Sequence, residues 1–203
     1  YDIYRHDYEE YVTGSTSTRV TSNSGATTLF DATFYVLTSD RNVYKCLDND
    51  GNTASTVEPT GTGTSIITTG DGYKWKYMYT LSAAQQANFL STDFMAVATN
   101  STVSSAATDG GIDIVKIKTA GSSYTVTGGG TSGTITGVPI RGDGSSGVCS
   151  VTLTSGAITA VTITANGSGY TSGYIRNADI IGATGAGGAG SGAELDVIIP
   201  PKG

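Results

Sequence analysis

The sequence has few of the residues from which catalytic and metal sites are built. Its 203 residues include one histidine and two cysteines, and only 14% of them are charged. The single histidine, His6, has no second histidine in these residues with which to form a two-histidine metal site, and no Ser-His-Asp arrangement is visible. The acidic residues are scattered, so none can be paired as general acid and base from the sequence. We therefore predict no enzymatic activity, no metal and no cofactor.

Cysteine is too scarce for a disulfide scaffold of the kind found in small secreted domains. Cys46 and Cys149 lie far apart and have no metal-ligand spacing to each other or to His6. We predict two free, buried thiols. A disulfide between the two halves of the chain is the alternative.

Basic residues are also few. Eleven Lys and Arg against 17 Asp and Glu give a net charge of −6. This balance argues against binding to nucleic acid or to an anionic membrane surface. No run of 18 apolar residues could span a bilayer, and no signal peptide is visible. Because the chain begins with Tyr1 rather than Met, we expect it to be a fragment that lacks residues upstream.

Threonine, serine and glycine dominate what is present, with 33 Thr, 22 Ser and 29 Gly. Threonine favours strands and glycine favours turns. This composition predicts an all-β fold, mainly an antiparallel β-sandwich, with one short helix. Residues 1–100 hold nearly all the aromatic side chains, whereas residues 101–203 are rich in Gly, Ser and Thr. We predict a domain in each half, with residues 100–111 as a linker or long loop.

In the first half, residues 32–37 and 42–47 predict a hairpin. Residues 72–81 form the clearest strand, in which alternate positions carry aromatic rings on one face. We predict that this face is core or subunit interface, with sugar stacking as a further alternative; its residues are Tyr73, Trp75, Tyr77 and Tyr79. After it, Ser82 and Gln85 have capping-box spacing and predict a helix that ends near Phe89.

The second half contains an internal repeat. Residues 112–125 align without gaps with residues 158–171, at an offset of 46. The same offset relates the glycine-rich and C-terminal parts of two units, 112–155 and 158–201. Each unit is predicted to contain a strand, a Gly-Ser-x-Tyr turn, a short strand, a glycine-rich loop and a third strand. Tyr124 and Tyr170 are the equivalent turn tyrosines, and each is expected to close the end of its unit.

Two segments resemble ligand-binding loops only partly. Residues 48–52 (Asp-Asn-Asp-Gly-Asn) lack the full calcium-loop pattern, so an Asx turn or hairpin turn is the preferred interpretation and loose calcium binding the alternative. Residues 182–192 lack the Gly-Lys-Ser/Thr ending of a phosphate-binding loop. We predict a flexible connection there.

Three segments of the first half carry a family resemblance. Residues 43–48 (Val-Tyr-Lys-Cys-Leu-Asp), 56–60 (Thr-Val-Glu-Pro-Thr) and 70–80 (Gly-Asp-Gly-Tyr-Lys-Trp-Lys-Tyr-Met-Tyr-Thr) occur in this order. The run resembles that in baseplate wedge subunits of T4-like contractile-tailed phages. With its opening Tyr-Asp-Ile-Tyr-Arg and its Ser-Gly-Tyr repeats, the chain looks most similar to the cyanophage homologues. The similarity covers roughly residues 30–97.

The resemblance implies a β-sandwich subunit of a viral tail baseplate, assembled in the host cytoplasm and without enzymatic activity. Its implied partners are other baseplate wedge proteins, and it implies a homodimer within a six-fold assembly. The glycine-rich repeats depart from the family pattern, and the resemblance assigns them no role. The alternative function is a carbohydrate-binding or adhesin module of a tail fibre or surface protein.

Overall fold

All strand pairs among the described residues are antiparallel. The computed structural model describes residues 2–4, 8, 35–50 and 53–199. The chain divides into two compact units, Tyr1–Ala106 and Ala107–Gly203. The division falls inside the segment 100–111 that was predicted as a linker. The all-β prediction is confirmed.

The first unit contains six strands and two helices in the part of the chain that is described. They are β1 (Asp2–Tyr4), β2 (Tyr35–Leu37), β3 (Asn42–Asp48), β4 (Ile67–Thr68), β5 (Lys74–Thr80), α1 (Ala83–Phe89), β6 (Phe94–Ala96) and α2 (Ser101–Ala106). Four strands form one sheet in the order β2-β3-β5-β4, and β1 pairs with β6.

The predicted hairpin is present as β2 and β3. The amide of Thr38 donates to the carbonyl of Asn42 at 2.9 Å, and Arg41 takes the positive φ of 63° that closes the turn. Residues 32–34 of this prediction lie outside the described residues. A β-bulge follows between Val43 and Tyr44, which are both fully buried. The extra residue is Met78 of β5, because Val43 pairs with Tyr79 and Tyr44 with Tyr77. The two consecutive side chains of β3 enter separate buried clusters, Val43 with Tyr79 and Tyr44 with Tyr77.

The helix predicted after β5 is α1, and its capping box is formed. The Ser82 hydroxyl accepts from the Gln85 amide at 3.2 Å, and the Gln85 side chain accepts from the Ser82 amide at 2.9 Å. The prediction of a single helix was wrong, because α2 occupies part of the expected linker. There the Asn100 carboxamide oxygen accepts from the amides of Thr102 and Val103, and Val103 is buried. Asn is a strong N-cap residue, so the signal was present in the sequence.

The second unit contains seven strands and a third short helix. They are β7 (Ile114–Ser122), β8 (Gly133–Pro139), β9 (Arg141–Gly142), β10 (Ser145–Thr154), β11 (Ala157–Ser168), β12 (Gly173–Tyr174), α3 (Asn177–Ile181) and β13 (Ser191–Ile198). The strand orders are β11-β10-β8 and β7-β13-β12-β9. Buried side chains from these strands and from α3 form one core.

Two ladders of this unit are related by the 46-residue offset. Ser145 pairs with Ser168 in the β10–β11 ladder, and Ser191 pairs with Ser122 in the β13–β7 ladder. Both ladders carry a bulge at the equivalent step, between Val148 and Cys149 and between Glu194 and Leu195. The last strand of each repeat (112–155 and 158–201) thus pairs with the first strand of the other repeat. The two repeats therefore form sheets together.

The central parts of the two repeats differ. The residues equivalent to β8 are 179–185, and they include the end of α3 rather than a second short strand. The prediction that both repeats have the same local fold throughout was therefore wrong in this part. The following glycine-rich segment is also tied down: Thr136 donates to the Thr184 carbonyl and Thr127 to the Gly185 carbonyl, both at 2.8 Å. These backbone bonds to residues of the first repeat, 112–155, contradict the predicted flexible connection.

Candidate functional site

Three of the four aromatic side chains singled out around β5 lie in the interior. Trp75 and Tyr77 are each 3% exposed and Tyr79 is 6% exposed. Trp75 and Tyr77 pack with Tyr44, whereas Tyr79 belongs to a neighbouring cluster with residues of β2 and β6. Sugar stacking requires an open ring face, so these three rings do not form a stacking platform.

Tyr73 differs from the other three aromatic residues. It precedes β5, is only partly buried, and stacks on Trp75 with ring centroids 5.4 Å apart. Its hydroxyl donates to the Thr53 carbonyl at 2.6 Å. Tyr8 meets the same indole edge-on at 6.3 Å. These rings enclose the indole, whose Nε1 is the one buried side-chain nitrogen or oxygen without a hydrogen-bond partner among the described residues.

Asp71 connects the turn before β5 to the loop that contains residues 55–57. Its Oδ2 accepts from the Thr56 amide at 2.7 Å, the Ser55 hydroxyl at 2.8 Å and the Val57 amide at 3.0 Å. Its Oδ1 accepts from the Thr69 hydroxyl at 2.5 Å. Desolvation opposes ionisation of this carboxyl, but the hydrogen bonds outweigh it and hold the pKa of Asp71 well below its usual range.

The three segments that carry the family resemblance meet in this unit. Residues 43–48 lie in β3, which pairs with β5 through Cys46 opposite Trp75 and Tyr44 opposite Tyr77. From the middle segment, Pro59 is buried, and Glu58 accepts from the amide and hydroxyl of Ser39 in the hairpin turn. The motif residues therefore have structural contacts in one sheet and its turns.

Tyr124 and Tyr170 occupy equivalent places in the second unit, 0% and 2% exposed. The Tyr124 amide donates to the carbonyl of Gly156 at 3.0 Å, and the Tyr170 amide donates to that of Gly110 at 3.2 Å. Both hydroxyl groups accept from an equivalent amide, that of Ala193 at 3.3 Å for Tyr124 and that of Gly147 at 3.1 Å for Tyr170. Each ring is thus buried beside a ladder in which the last strand of one repeat pairs with the first strand of the other.

A cluster of two arginines and one aspartate connects α3 to β9. The Arg141 and Arg176 guanidinium groups both lie 2.9 Å from the carboxylate of Asp179, whose side chain is only 6% exposed. The hydrogen bonds from Arg176 and then Arg141 hold the pKa of Asp179 well below its usual range. Tyr174, which is 52% exposed, pairs with Arg141 across the adjacent strand. Sequence reasoning missed this cluster because its members are up to 38 residues apart.

The carboxylates with shifted pKa values are unsuited to donating protons near neutral pH. Asp71, Asp143 and Asp179 are all held ionised by hydrogen bonds, and in Asp143 these come from the Thr171 side chain and the amides of residues 171 and 172. A general acid needs the opposite shift. In the described ranges, no group of three His, Cys, Asp or Glu side chains could hold a metal ion. His6 lies outside them.

The remaining predictions concern the two thiols and the 48–52 turn. Neither Cys46 nor Cys149 forms a disulfide. Cys149 is buried as predicted, and burial raises its pKa to about 11, whereas the prediction was wrong for Cys46, which is only partly buried. The Asp48 carboxylate accepts from the Asp50 amide at 3.1 Å, which is the expected Asx-turn contact. Residues 51 and 52 lie outside the described residues. No helix in the described part of the chain has the length and apolar character needed to cross a membrane.

The fold defines the chain as an antiparallel β protein of two compact units. The side chains described above connect turns, strands and helix ends. Comparison of the chain with family models, curated proteins and solved structures finds no match.

Proposed function

We propose that the chain is a structural subunit of the baseplate wedge of a T4-like contractile phage tail. It acts through protein–protein contacts and turns over no substrate. Its partners are other baseplate wedge proteins and a second copy of itself within a six-fold assembly. It belongs to the virion and is assembled in the host cytoplasm.

The observation that carries the proposal is the meeting of the three resembling segments. The β3 residues, Glu58, Pro59, Asp71 and the β5 aromatics contribute to a single sheet and its turns. Motif residues that build one structural unit are expected where a family shares a scaffold. Function in such a family depends on surfaces that this scaffold presents.

The composition supports a role in contact as well. Protein–protein interfaces are depleted of Lys, Glu and Asp at their centres, because burying an unpaired charge is costly. In this chain, long stretches of strand carry no charged residue at all. The alternative of a carbohydrate-binding module finds less support, because Trp75, Tyr77 and Tyr79 have no exposed ring face.

The test is to tag the chain in the cells that produce it and purify the particles that contain it. We expect it to co-purify with intact contractile tails and to be located in the baseplate by electron microscopy with six-fold order. Recovery only as a free protein, with no tail particle containing it, would contradict the proposal. A hydrolytic activity abolished by changing a single acidic residue would also contradict it.

A further inference from the structure

The cluster of Arg141, Arg176 and Asp179 contains more positive than negative charge, because two guanidinium groups share one carboxylate. Arg141 donates to Asp179 through Nε and Nη2, and Arg176 does the same. In the part of the chain that is described, these are the only hydrogen bonds of the two guanidinium groups. The arginine side chains are 46% and 56% exposed. Their Nη1 groups therefore remain available to an acceptor from outside the chain.

Other charges on the same sheet are balanced one to one. Lys118 forms an ion pair with Glu194 at 3.3 Å, and Lys116 lies opposite Asp196. The carboxylate of Asp143, which follows β9, accepts from the amides of residues 171 and 172. The unbalanced positive charge therefore belongs to the arginine cluster, although the chain as a whole carries a net charge of −6.

The internal repeat shows that this cluster is not part of the shared repeat fold. At the offset of 46, each residue of the cluster and the neighbouring Tyr174 has a glycine as its counterpart. The pairs are Arg141 and Gly187, Tyr174 and Gly128, Arg176 and Gly130, and Asp179 and Gly133. Both repeats nevertheless bury their turn tyrosines in one core. The cluster is therefore an addition to one repeat, and the common core does not require it.

Tyr174 adds an exposed aromatic ring to the same surface. It pairs with Arg141 across β9 and β12 and is 52% exposed. Asp179 raises the pKa of Arg176, first through its hydrogen bonds, and Tyr174 adds to this shift because its hydroxyl lies near that guanidinium. Tyrosine and arginine are enriched at the energetic centres of protein interfaces, and the arginine fork fits a carboxylate. Nucleic acid is a poorer ligand, because its many phosphates meet a chain of net charge −6.

We propose that Arg141, Arg176 and Tyr174 form a docking site for an acidic side chain, aspartate or glutamate, of a neighbouring subunit. The incoming carboxylate accepts from the outward N–H groups of the two arginines, and the tyrosine ring packs against the chain beside it. Asp179 already holds both guanidinium groups in place, so less side-chain entropy is lost on binding. The inference rests on the proposed function, which supplies a protein partner, and it adds the chemistry of the contact.

The test measures binding of a short acidic peptide to the full chain. The probe is acetyl-Gly-Glu-Gly-Glu-Gly-amide, and the same peptide with glutamine in place of glutamate is its control. The Nε–H signals of Arg141 and Arg176 in an NMR titration report binding at the site. Exposed ion pairs are weak, so we expect a Kd of about 1–10 mM for the acidic peptide and no saturation by the glutamine peptide.

Single substitutions locate the contact. Arg176→Gln should raise the Kd at least about fivefold, whereas Lys118→Gln removes the same charge from a 63% exposed side chain and should raise it less than about twofold. Tyr174→Ser leaves the ion cluster intact and should raise the Kd at least about threefold, so it tests the site even if the loss of Arg176 disturbs α3. Circular dichroism and thermal unfolding establish that each variant is folded.

No saturation by the acidic peptide up to about 20 mM would overturn the inference, and so would equal effects of Arg176→Gln and Lys118→Gln. Tighter binding of inorganic phosphate or of trigalacturonate would also overturn it, because the ligand would then be a free anion or an acidic sugar. The proposed function is tested separately by the tail particles. A chain that is present in baseplates and does not bind the peptide would refute this site and leave the proposed function standing. Peptide binding by a chain that is absent from tails would do the reverse.

Discussion

The ring of Tyr170 lies directly against the backbone of Gly144, so that a Cβ on this glycine would overlap the ring. At the equivalent position, a Cβ on Gly190 would overlap the ring of Tyr124. The glycines of each repeat unit are therefore required by the tyrosine of the other unit. The packing of tyrosine on glycine is therefore reciprocal between the two repeats.

Gly144→Ala is expected to destabilise the second unit. The added methyl group must displace a buried ring, and overpacking of this kind costs about 1–3 kcal/mol. Urea unfolding followed by tyrosine fluorescence or circular dichroism measures the loss. Gly63→Ala is the matched control, because a Cβ there meets nothing within 4 Å. Equal unfolding midpoints for the two variants would contradict the packing argument.

Trp75→Ala is expected to lower the free energy of unfolding of the first unit by about 3–5 kcal/mol, because it removes a buried ring. Phe89→Ala is the control; the residue is 52% exposed, and removal of its ring should cost less than about 0.5 kcal/mol. Denaturant unfolding measures both. A loss below about 1 kcal/mol for Trp75→Ala would show that the indole is not part of a packed interior.

The protein should lose stability as the pH falls below about 4. The folded-state pKa values of Asp71, Asp143 and Asp179 are depressed, so their contribution is present above the unfolded-state pKa near 3.9 and is lost as the pH approaches the folded-state values. Asp71→Asn should reduce stability at pH 7 by about 1–2 kcal/mol and flatten the pH dependence below 4. A slope unchanged by this variant would exclude Asp71 as a contributor.

Cys149 should resist thiol reagents in the folded protein, because burial raises its pKa to about 11 and blocks access. Cys46 is partly exposed and should react first. Absorbance with a chromogenic disulfide reagent at pH 8 should therefore show one thiol in the native state and two in denaturant. Cys46→Ser should abolish the native reaction. Two rapidly reacting thiols in the native protein would be the contrary result.

Features encoded by neighbouring residues could be predicted from the sequence. The β2–β3 hairpin depends on a four-residue turn, β5 on alternating aromatic residues, and α1 on two side chains three positions apart. The two turn tyrosines were also identified in advance as equivalent. In the hairpin, the strand and the helix, the pattern and the interaction that it predicts lie within a few residues of each other. The tyrosines were identified instead by the 46-residue repeat.

Features that depend on distant residues were decided by the tertiary structure. Helix α3 has no side-chain cap and only five residues, and its place is set by the buried Ile180 and by Asp179 between two arginines. The bulge at Val43 and the strand pairing between the two repeats likewise require partners far along the chain. The periodicity of the sequence shows which side of a strand is apolar, but it does not show which other strand packs against that side. Long-range strand pairing depends on packing and backbone hydrogen bonding across the whole unit. For this reason the sequence predicted the strands and helices, whereas the tertiary structure determined which of them pair.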